Sequence, residues 1–332
     1  SVAESNPFFS SEDGILFTKD KSLLLLCPSG KTGSVTVNVN VDAYAFYNSS
    51  LEHLVLSDGV TSIGDYAFAN SALIDVIWTK TPDTVGTNVF YNCTKLNSIT
   101  LPADLSRIYD GLFYNCTSLV LTELPESVQY IGANAFRGCV HVNPTSLPEN
   151  LGNVGSFAFN NAGIESVSLG ISNEVVIGGS AFSTDSLKHV VLGKVSFGDV
   201  DKNDYKYLFY GTNLESITVT GDFSVWSQIG PLSIGKDGEL FACIPTYEGK
   251  VTIPSSVISI LDAFIGCSKI TEIDCEDSTK TISVGTNKYR GSFEGCTSLV
   301  SIVLPNVVLL DNYTFRGCSS LETVTITTID RI

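Results

Sequence analysis

A six-residue segment with apolar residues at its first, fourth and sixth positions recurs along this 332-residue chain. Leu51 to Leu56 reads LEHLVL, and Leu96, Leu187, Leu214 and Leu321 open LNSITL, LKHVVL, LESITV and LETVTI. Its last positions alternate apolar with polar or variable residues, the period of a half-buried strand. Five or six residues before each segment stands a Phe. Phe46, Phe68, Phe90, Phe113, Phe136, Phe159 and Phe182 follow one another at spacings of 22, 22, 23, 23, 23 and 23. Regularity of this kind marks an internal repeat. It continues with wider steps through Phe209, Phe264, Phe293 and Phe315; with two units in the 55-residue gap after Phe209, the count is about twelve.

Several strands end at a proline, Pro102, Pro125, Pro148 and Pro305, which removes a backbone donor and stops the pairing. A turn follows, as in VTSIGDYAF from Val60 to Phe68, where Val60 and Ile63 point inward before a short helical turn carries Phe68. One strand and one turn enclose no interior, so a unit buries its apolar face only by stacking on a neighbour. Stacking at about 4.8 Å predicts one long parallel β-sheet with the Phe residues laddered behind it, a rod roughly 55 to 60 Å long for about twelve units.

The pattern resembles the BspA-like leucine-rich repeat family. The stretches VTSIGDYAFANSALIDVIW, VQYIGANAFRGC and LPNVVLLDNYTFRGCSSLETVTI carry the resemblance, which runs from about Asp13 to the end of the chain. It implies an α/β repeat fold: a right-handed leucine-rich-repeat solenoid with short helical turns on the return side. It also implies a surface or secreted molecule of the sort found in bacteria and protists on mucosal surfaces, some of which adhere to host matrix proteins.

Two segments depart from the repeat. Residues 13 to 46 and 237 to 264 both open with Asp-Gly-x-Leu-Phe and carry a Cys ahead of Pro and Gly, which reads as one device used twice. The first predicts an N-terminal β-hairpin cap, Ile15 to Thr18 and Leu23 to Cys27 around the turn Lys19 to Ser22. The expected organisation is a cap over 1–45, a first repeat block over 46–220, an irregular insert with a second hairpin over 221–250, and a second block over 251–332. The last strand lies directly before the C-terminus with no polar capping helix, so either the natural polypeptide continues or something covers that edge.

Composition narrows the function classes. The chain is 43% hydrophobic and 16% charged with mean hydropathy +0.22, too apolar for disorder. No apolar run approaches the roughly 18 residues of a membrane span, so no membrane insertion is expected within this chain. A net charge of −16 and pI near 4.5 oppose nucleic acid and anionic lipid. The chain opens at Ser1 and contains no Met, as a mature secreted protein or an excised fragment would.

Candidate chemistry is sparse. Cys93, Cys116, Cys139, Cys267, Cys296 and Cys318 lie three residues after a repeat Phe, a slot that suits a small buried hydrophobe. Asn48, Asn92, Asn115 and Asn312 open Asn-x-Ser/Thr sequons, which a eukaryotic secretory route could glycosylate; Asn is also ordinary turn chemistry there. In PSGKTGS the Gly that a phosphate loop needs at position 25 is Leu25, so this is a turn. DVDKND offers Asp199, Asp201 and Asn203 as candidate calcium ligands, but Asp204 stands where a calcium loop has Gly and Tyr210 where it has Glu. His53, His141 and His189 sit in separate units, and no nucleophile, base and acid can be assembled from so uniform a sheet. No enzyme activity, cofactor or metal is expected.

The strand pattern places an exposed row at His53 and Val55, Asp75 and Ile77, Ser98 and Thr100, Leu121 and Glu123, His189 and Val191, Ser216 and Thr218, and Glu272 and Asp274. Such a face offers area rather than a pocket, which favours a protein ligand, with extracellular matrix or host surface proteins as the class the resemblance suggests. The expectation is an extracellular or cell-surface adhesion protein. The alternative is a structural component that self-associates through its sheet edges.

Overall fold

The computed structural model describes residues 1–197, 212–220, 226–235, 238–260, 263–277, 281–284, 291–310 and 313–327. The LxxLxL segments form the first of two strand ladders. Gly33–Val37, Leu51–Leu56, Asp75–Trp78 and Ser98–Thr100 pair in parallel. Ser166–Leu169, His189–Leu192 and Ser216–Val219 do the same, and so do Gly249–Ile253, Ile270–Cys275, Ser301–Pro305 and Thr323–Thr327. Alternation does what the sequence asks of it: Leu51, Leu54 and Leu56 are at most 1% exposed while Glu52 and His53 face solvent.

The single long sheet expected from the sequence is in fact two ladders. The return segments also pair in parallel, through Asn40–Val41, Ser62–Ile63 and Thr84–Val85, and then Arg107–Ile108, Tyr130–Ile131, Asn153–Val154, Val175–Ile177 and Val195–Phe197. Most of these strands are two residues long, too short to print an alternation in the sequence. Ile63, Ile108, Ile131 and Val154 nevertheless bury themselves opposite the first ladder, in the same apolar cluster as Leu54 and Phe68.

The first ladder thins to one bridge, Leu121 to Val142. Pro144 lies in the strand slot of the second of these units and has no N–H to give, so regular pairing stops. The burial pattern shifts with it. Leu121, expected on the exposed row, is 9% exposed, while Thr122 and Glu123 both reach solvent.

Among the described residues there is no helix, and the expected helical turns are corrected by the way their N–H groups point. In the turn around Phe46, the N–H groups of Tyr44, Phe46 and Asn48 donate to Asp65, Ala67 and Ala69 of the next unit at 3.0, 2.7 and 3.0 Å. The intervening Ala45, Tyr47 and Ser49 donate back three residues within the turn. A helix would spend every N–H on itself. Here every second N–H points along the stack, and the residues two before and two after the Phe adopt left-handed backbone, Tyr44 at φ +59° and Asn48 at φ +56°. The same alternation recurs around Phe90, Phe113, Phe136 and Phe159.

Between the ladders the phenyl rings stack, Phe46 on Phe68 at 4.8 Å and so on to Phe159 on Phe182 at 5.5 Å. A second run links Phe264, Phe293 and Phe315 at 5.2 and 5.5 Å. The buried residues fall into two clusters, one from Ile15 to Ile217 joined by Ala242, the other from Leu232 to Leu304.

Each cluster begins at a three-stranded antiparallel meander. Phe9–Glu12, Ile15–Thr18 and Leu23–Leu26 extend the second ladder at its start. Trp226–Ile229, Leu232–Gly235 and Glu239–Cys243 repeat the arrangement, with a register shift between the same two strands. Cys27 N donates to Ala45 O at 2.7 Å and Cys243 N to Ala263 O at 2.9 Å, so these cysteines are the equivalent points. The shared Asp-Gly motif is therefore out of step by one strand: Gly14 precedes the second strand of its meander and Gly238 the third.

Candidate functional site

The exposed row on the first ladder is built by register, because parallel pairing sets equivalent side chains side by side. His53 pairs with Asp75 and Asp75 with Ser98, and two residues on, Val55, Ile77 and Thr100 align. His53 Nδ1 lies 2.5 Å from Asp75 Oδ2, with both side chains more than a third exposed. A second group aligns Ser166, His189 and Ser216, with Ser168, Val191 and Thr218 beside them; His189 Nδ1 is 3.0 Å from Ser216 Oγ. Glu272 and Asp274 form a third group with Lys250 of the preceding strand. Its Nζ lies 2.7 Å from Glu272 Oε1 and 3.3 Å from Asp274 Oδ2. Hydrogen bonds to Glu272 first and Asp274 second hold the ammonium above its ordinary range.

The predicted row is thus three groups rather than one, and Glu123 stands by itself at the break. Lys250 is the residue the sequence reading passed over. KVTI from Lys250 occupies the strand slot that HVVL occupies from His189, which is the signal that would have placed it on the face. Lys250 offsets one of the two charges at Glu272 and Asp274 within the sheet.

The calcium candidates Asp199, Asp201 and Asn203, and the sequon at Asn312, lie outside the described residues. Among the described residues no group of three or more His, Cys, Asp or Glu side chains could hold a metal ion, and no helix is long and apolar enough to cross a membrane.

All nine cysteines are free. The slot after each repeat Phe is more specific than a hydrophobic pocket: Cys93, Cys116 and Cys139 direct Sγ at the carbonyls of Phe68, Phe90 and Phe113 at 3.1, 3.1 and 2.9 Å. Ser71 fills the equivalent slot one unit earlier, with Oγ 3.3 Å from Cys93 Sγ. Burial pushes the Cys139 thiol up to about 12, and burial likewise raises Cys116. At Cys93 burial is outweighed by hydrogen bonds from Cys116 and Ser71, which lower the thiol instead. All three sulfurs are sealed from solvent, so Cys93, Cys116 and Cys139 should stay silent in a thiol titration of the native protein and react once denaturant is added. A Cys93–Cys116 cross-link in the native protein, seen by mass spectrometry, would contradict this.

The sequon asparagines also belong to the stack. Asn48, Asn70, Asn92 and Asn115 share one left-handed turn position, at φ +56°, +56°, +57° and +61°, a conformation Asn tolerates. Asn92 Nδ2 donates to Asn70 Oδ1 at 2.7 Å, and Asn115 Nδ2 to Asn92 Oδ1 at 2.5 Å. The nitrogens a glycan would occupy at Asn92 and Asn115 are therefore spent on neighbouring units, whereas Asn48 is exposed.

Two parallel ladders wound into a right-handed stack, with a Phe column between them and a polar strand face, define a leucine-rich-repeat β-solenoid. The chain belongs to the BspA-type leucine-rich repeat family, whose profile matches residues 39–139, 108–229 and 240–332. Its fold is similar to that of a leucine-rich cell surface protein from Faecalibacterium prausnitzii, at 16% identity and TM-score 0.55 over 99% of this chain and 97% of the other. A leucine-rich repeat protein from Bacteroides ovatus aligns over 97% of this chain and 90% of its own, at 18% identity and TM-score 0.49. The Treponema pallidum leucine-rich repeat protein covers 62% of this chain and 95% of its own, at 24% identity and TM-score 0.42. No curated protein matches the sequence.

Proposed function

We propose that this chain is a non-enzymatic, secreted or cell-surface binding protein that adheres to host or neighbouring-cell proteins, among them extracellular matrix proteins, through its first strand ladder. The observation that carries the reading is the in-register row of short polar side chains, Ser34, His53, Asp75 and Ser98, repeated as Ser166, His189 and Ser216. Side chains this short leave a broad face that a protein surface can approach closely. The family and the fold support the reading. Within it, the repeat blocks over 46–220 and 251–332 are separate stretches of one binding face joined by the insert over 221–250, and glycosylation, where it occurs, is confined to Asn48 among the described sequons.

A second reading, a structural component that self-assembles through its sheet edges, draws on Gly33–Val37, which pairs with Leu51–Leu56 on one side and whose other edge no strand among the described residues pairs. Light scattering on a size-exclusion column separates the two, a binder eluting as a monomer and a structural unit as a concentration-dependent series.

For the binder, the expected result is retention of a matrix protein on the immobilised chain, with association that slows as salt rises. Replacing Glu123, Glu272 and Asp274 by Ser should reduce the on-rate, because it removes three negative charges from the face, of which Lys250, one ammonium shared between Glu272 and Asp274, offsets only one. Ser98→Lys with Ser216→Lys, which raises bulk and charge on the face, should abolish binding without unfolding the rod, since exposed substitutions seldom move stability by more than about 0.5 kcal/mol. Undiminished retention by that double variant would place the binding site elsewhere.

A further inference from the structure

We propose that the exposed turn corner of the first repeat block is a second interaction surface, a tyrosine stripe that receives a proline-rich segment in the polyproline II conformation with basic residues beside the prolines.

The stripe is continuous over six units. Tyr44 lies 5.7 Å from Tyr47 and stacks on Tyr66 at 5.3 Å; Tyr66 meets Tyr91 at 6.0 Å, and Tyr91 meets Tyr114 at 5.1 Å. The Arg137 guanidinium then bridges Tyr114 and Phe157, 5.3 and 5.1 Å from the two rings. Tyr44 is 51% exposed, Tyr47 40% and Phe157 39%.

The fold has no need of these rings. Tyr44, Tyr66 and Phe157 hold left-handed backbone at φ +59°, +54° and +58°, in the position that Asn88, Gly111, Asn134 and Ser180 fill in other units. A bulky residue is disfavoured there, and strain of this kind collects at functional positions. At the other column of the stripe, Tyr91 and Tyr114 stand where Ala69, Asn160 and Ser183 suffice elsewhere.

The occupant follows from pitch and hydrogen bonding. A polyproline II helix advances about 3.1 Å per residue and about 9.3 Å per three-residue turn, and two solenoid units advance about 9.6 Å. One polyproline turn therefore spans about two units, so neighbouring ridges meet rings two units apart, as Tyr66 and Tyr114 are, on either side of Tyr91. Polyproline II has no internal hydrogen bonds, so its carbonyls need donors, and aromatic-lined surfaces are how such segments are recognised. Among the described residues no hydrogen bond engages the hydroxyl of Tyr44, Tyr47, Tyr66, Tyr91 or Tyr114, which leaves those donors for a ligand. Charge selects basic flanks: Asp42, Asp65 and Asp110, all exposed, precede the stripe residues in their own turns, on a chain of net charge −16.

The test titrates the full chain into a fluorescently labelled decaproline peptide with arginines at one end, read by anisotropy. Saturable binding that weakens with salt is expected. The variant Tyr44→Asn, Tyr66→Asn, Tyr91→Ser, Tyr114→Ser uses only residues that other units carry at those positions. It should keep its melting temperature and lose at least tenfold in affinity. Asp42→Asn with Asp65→Asn and Asp110→Asn should weaken binding and flatten its salt dependence, which keeps the test open if the tyrosine variant does not fold. The strand-face variant Ser98→Lys with Ser216→Lys should bind the peptide as the parent does, so this surface and the strand face stand or fall separately. Absence of saturable binding, equal affinity in the tyrosine variant, or tyrosine-dependent binding of a linear polysaccharide in place of the peptide would overturn the proposal.

Discussion

Phe113→Ala and Phe136→Ala should each cost about 3–5 kcal/mol, the range for deleting a buried aromatic. Both rings have no exposed surface. Phe113 lies 5.8 Å from Phe90 and 5.6 Å from Phe136, and Phe136 lies 5.3 Å from Phe159, so each deletion strips contact from a unit on either side. Little can collapse into the hole, because three inter-unit backbone hydrogen bonds hold the Phe113 turn to the next one: Gly111, Phe113 and Asn115 donate to Ala133, Ala135 and Arg137 at 2.8, 2.9 and 2.7 Å. Since a solenoid unit touches only its neighbours, the loss should be local. Amide exchange should accelerate first in the turns around Phe90, Phe113 and Phe136, while the second block keeps its protection. Parent-like melting and exchange in both variants would show that the Phe column does not hold the stack together.

What could be read from the sequence depended on how far each signal repeats. The Phe column was legible because one large residue returns at nearly constant spacing, and the first ladder because six residues suffice to display LxxLxL. Two-residue strands such as Ser62–Ile63 display no period at all, so the second ladder had to wait for its pairing partners. The turns looked helical because short polar runs around a Phe satisfy a helix as well as they satisfy a turn. The distinguishing clue was the recurrence of Asn or Gly two residues after the Phe, at Asn70, Asn92, Asn115 and Gly138, which signals left-handed backbone. On the strand face, alternation placed His53 and Ser98 outward but failed at Leu121, which is buried, and alternation along a strand does not reveal that Lys250 reaches across to Glu272 and Asp274. The break at Leu121 was foreshadowed by Pro144 in a strand slot. The tyrosine stripe escaped because its rings come from two different turn positions and form no single column.

Gly155→Ala should destabilise the protein by about 2–3 kcal/mol, the upper part of the usual range for overpacking. Glycine stands four residues before the repeat Phe at Gly64, Gly86, Gly132, Gly155 and Gly178. A Cβ on Gly155 would lie 2.5 Å from Ala133 N and 2.7 Å from Gly132 C, backbone atoms that have no rotamer by which to retreat. The units would have to separate, straining the bonds from Gly155 N to Ile131 O at 2.7 Å and from Phe136 N to Ala158 O at 2.8 Å. The chain contains its own control. Asp42, Tyr109 and Asp311 take the glycine position in other units, and at Tyr109 the Phe90 and Phe113 rings stand 5.8 Å apart, the widest step of the column among the described residues. The Tyr109 side chain goes with a wider step, and the substitution at Gly155 asks an interface at 5.3 Å to open toward that spacing. Gly152→Ala separates this from a general effect of losing a glycine: its Cβ would meet only Gln129 O at 3.7 Å, an ordinary contact. That variant should be neutral or stabilised by up to about 1 kcal/mol through the unfolded chain. Denaturant unfolding of the two variants side by side decides the matter, and equal midpoints would mean that the close approach of successive turns does not require glycine.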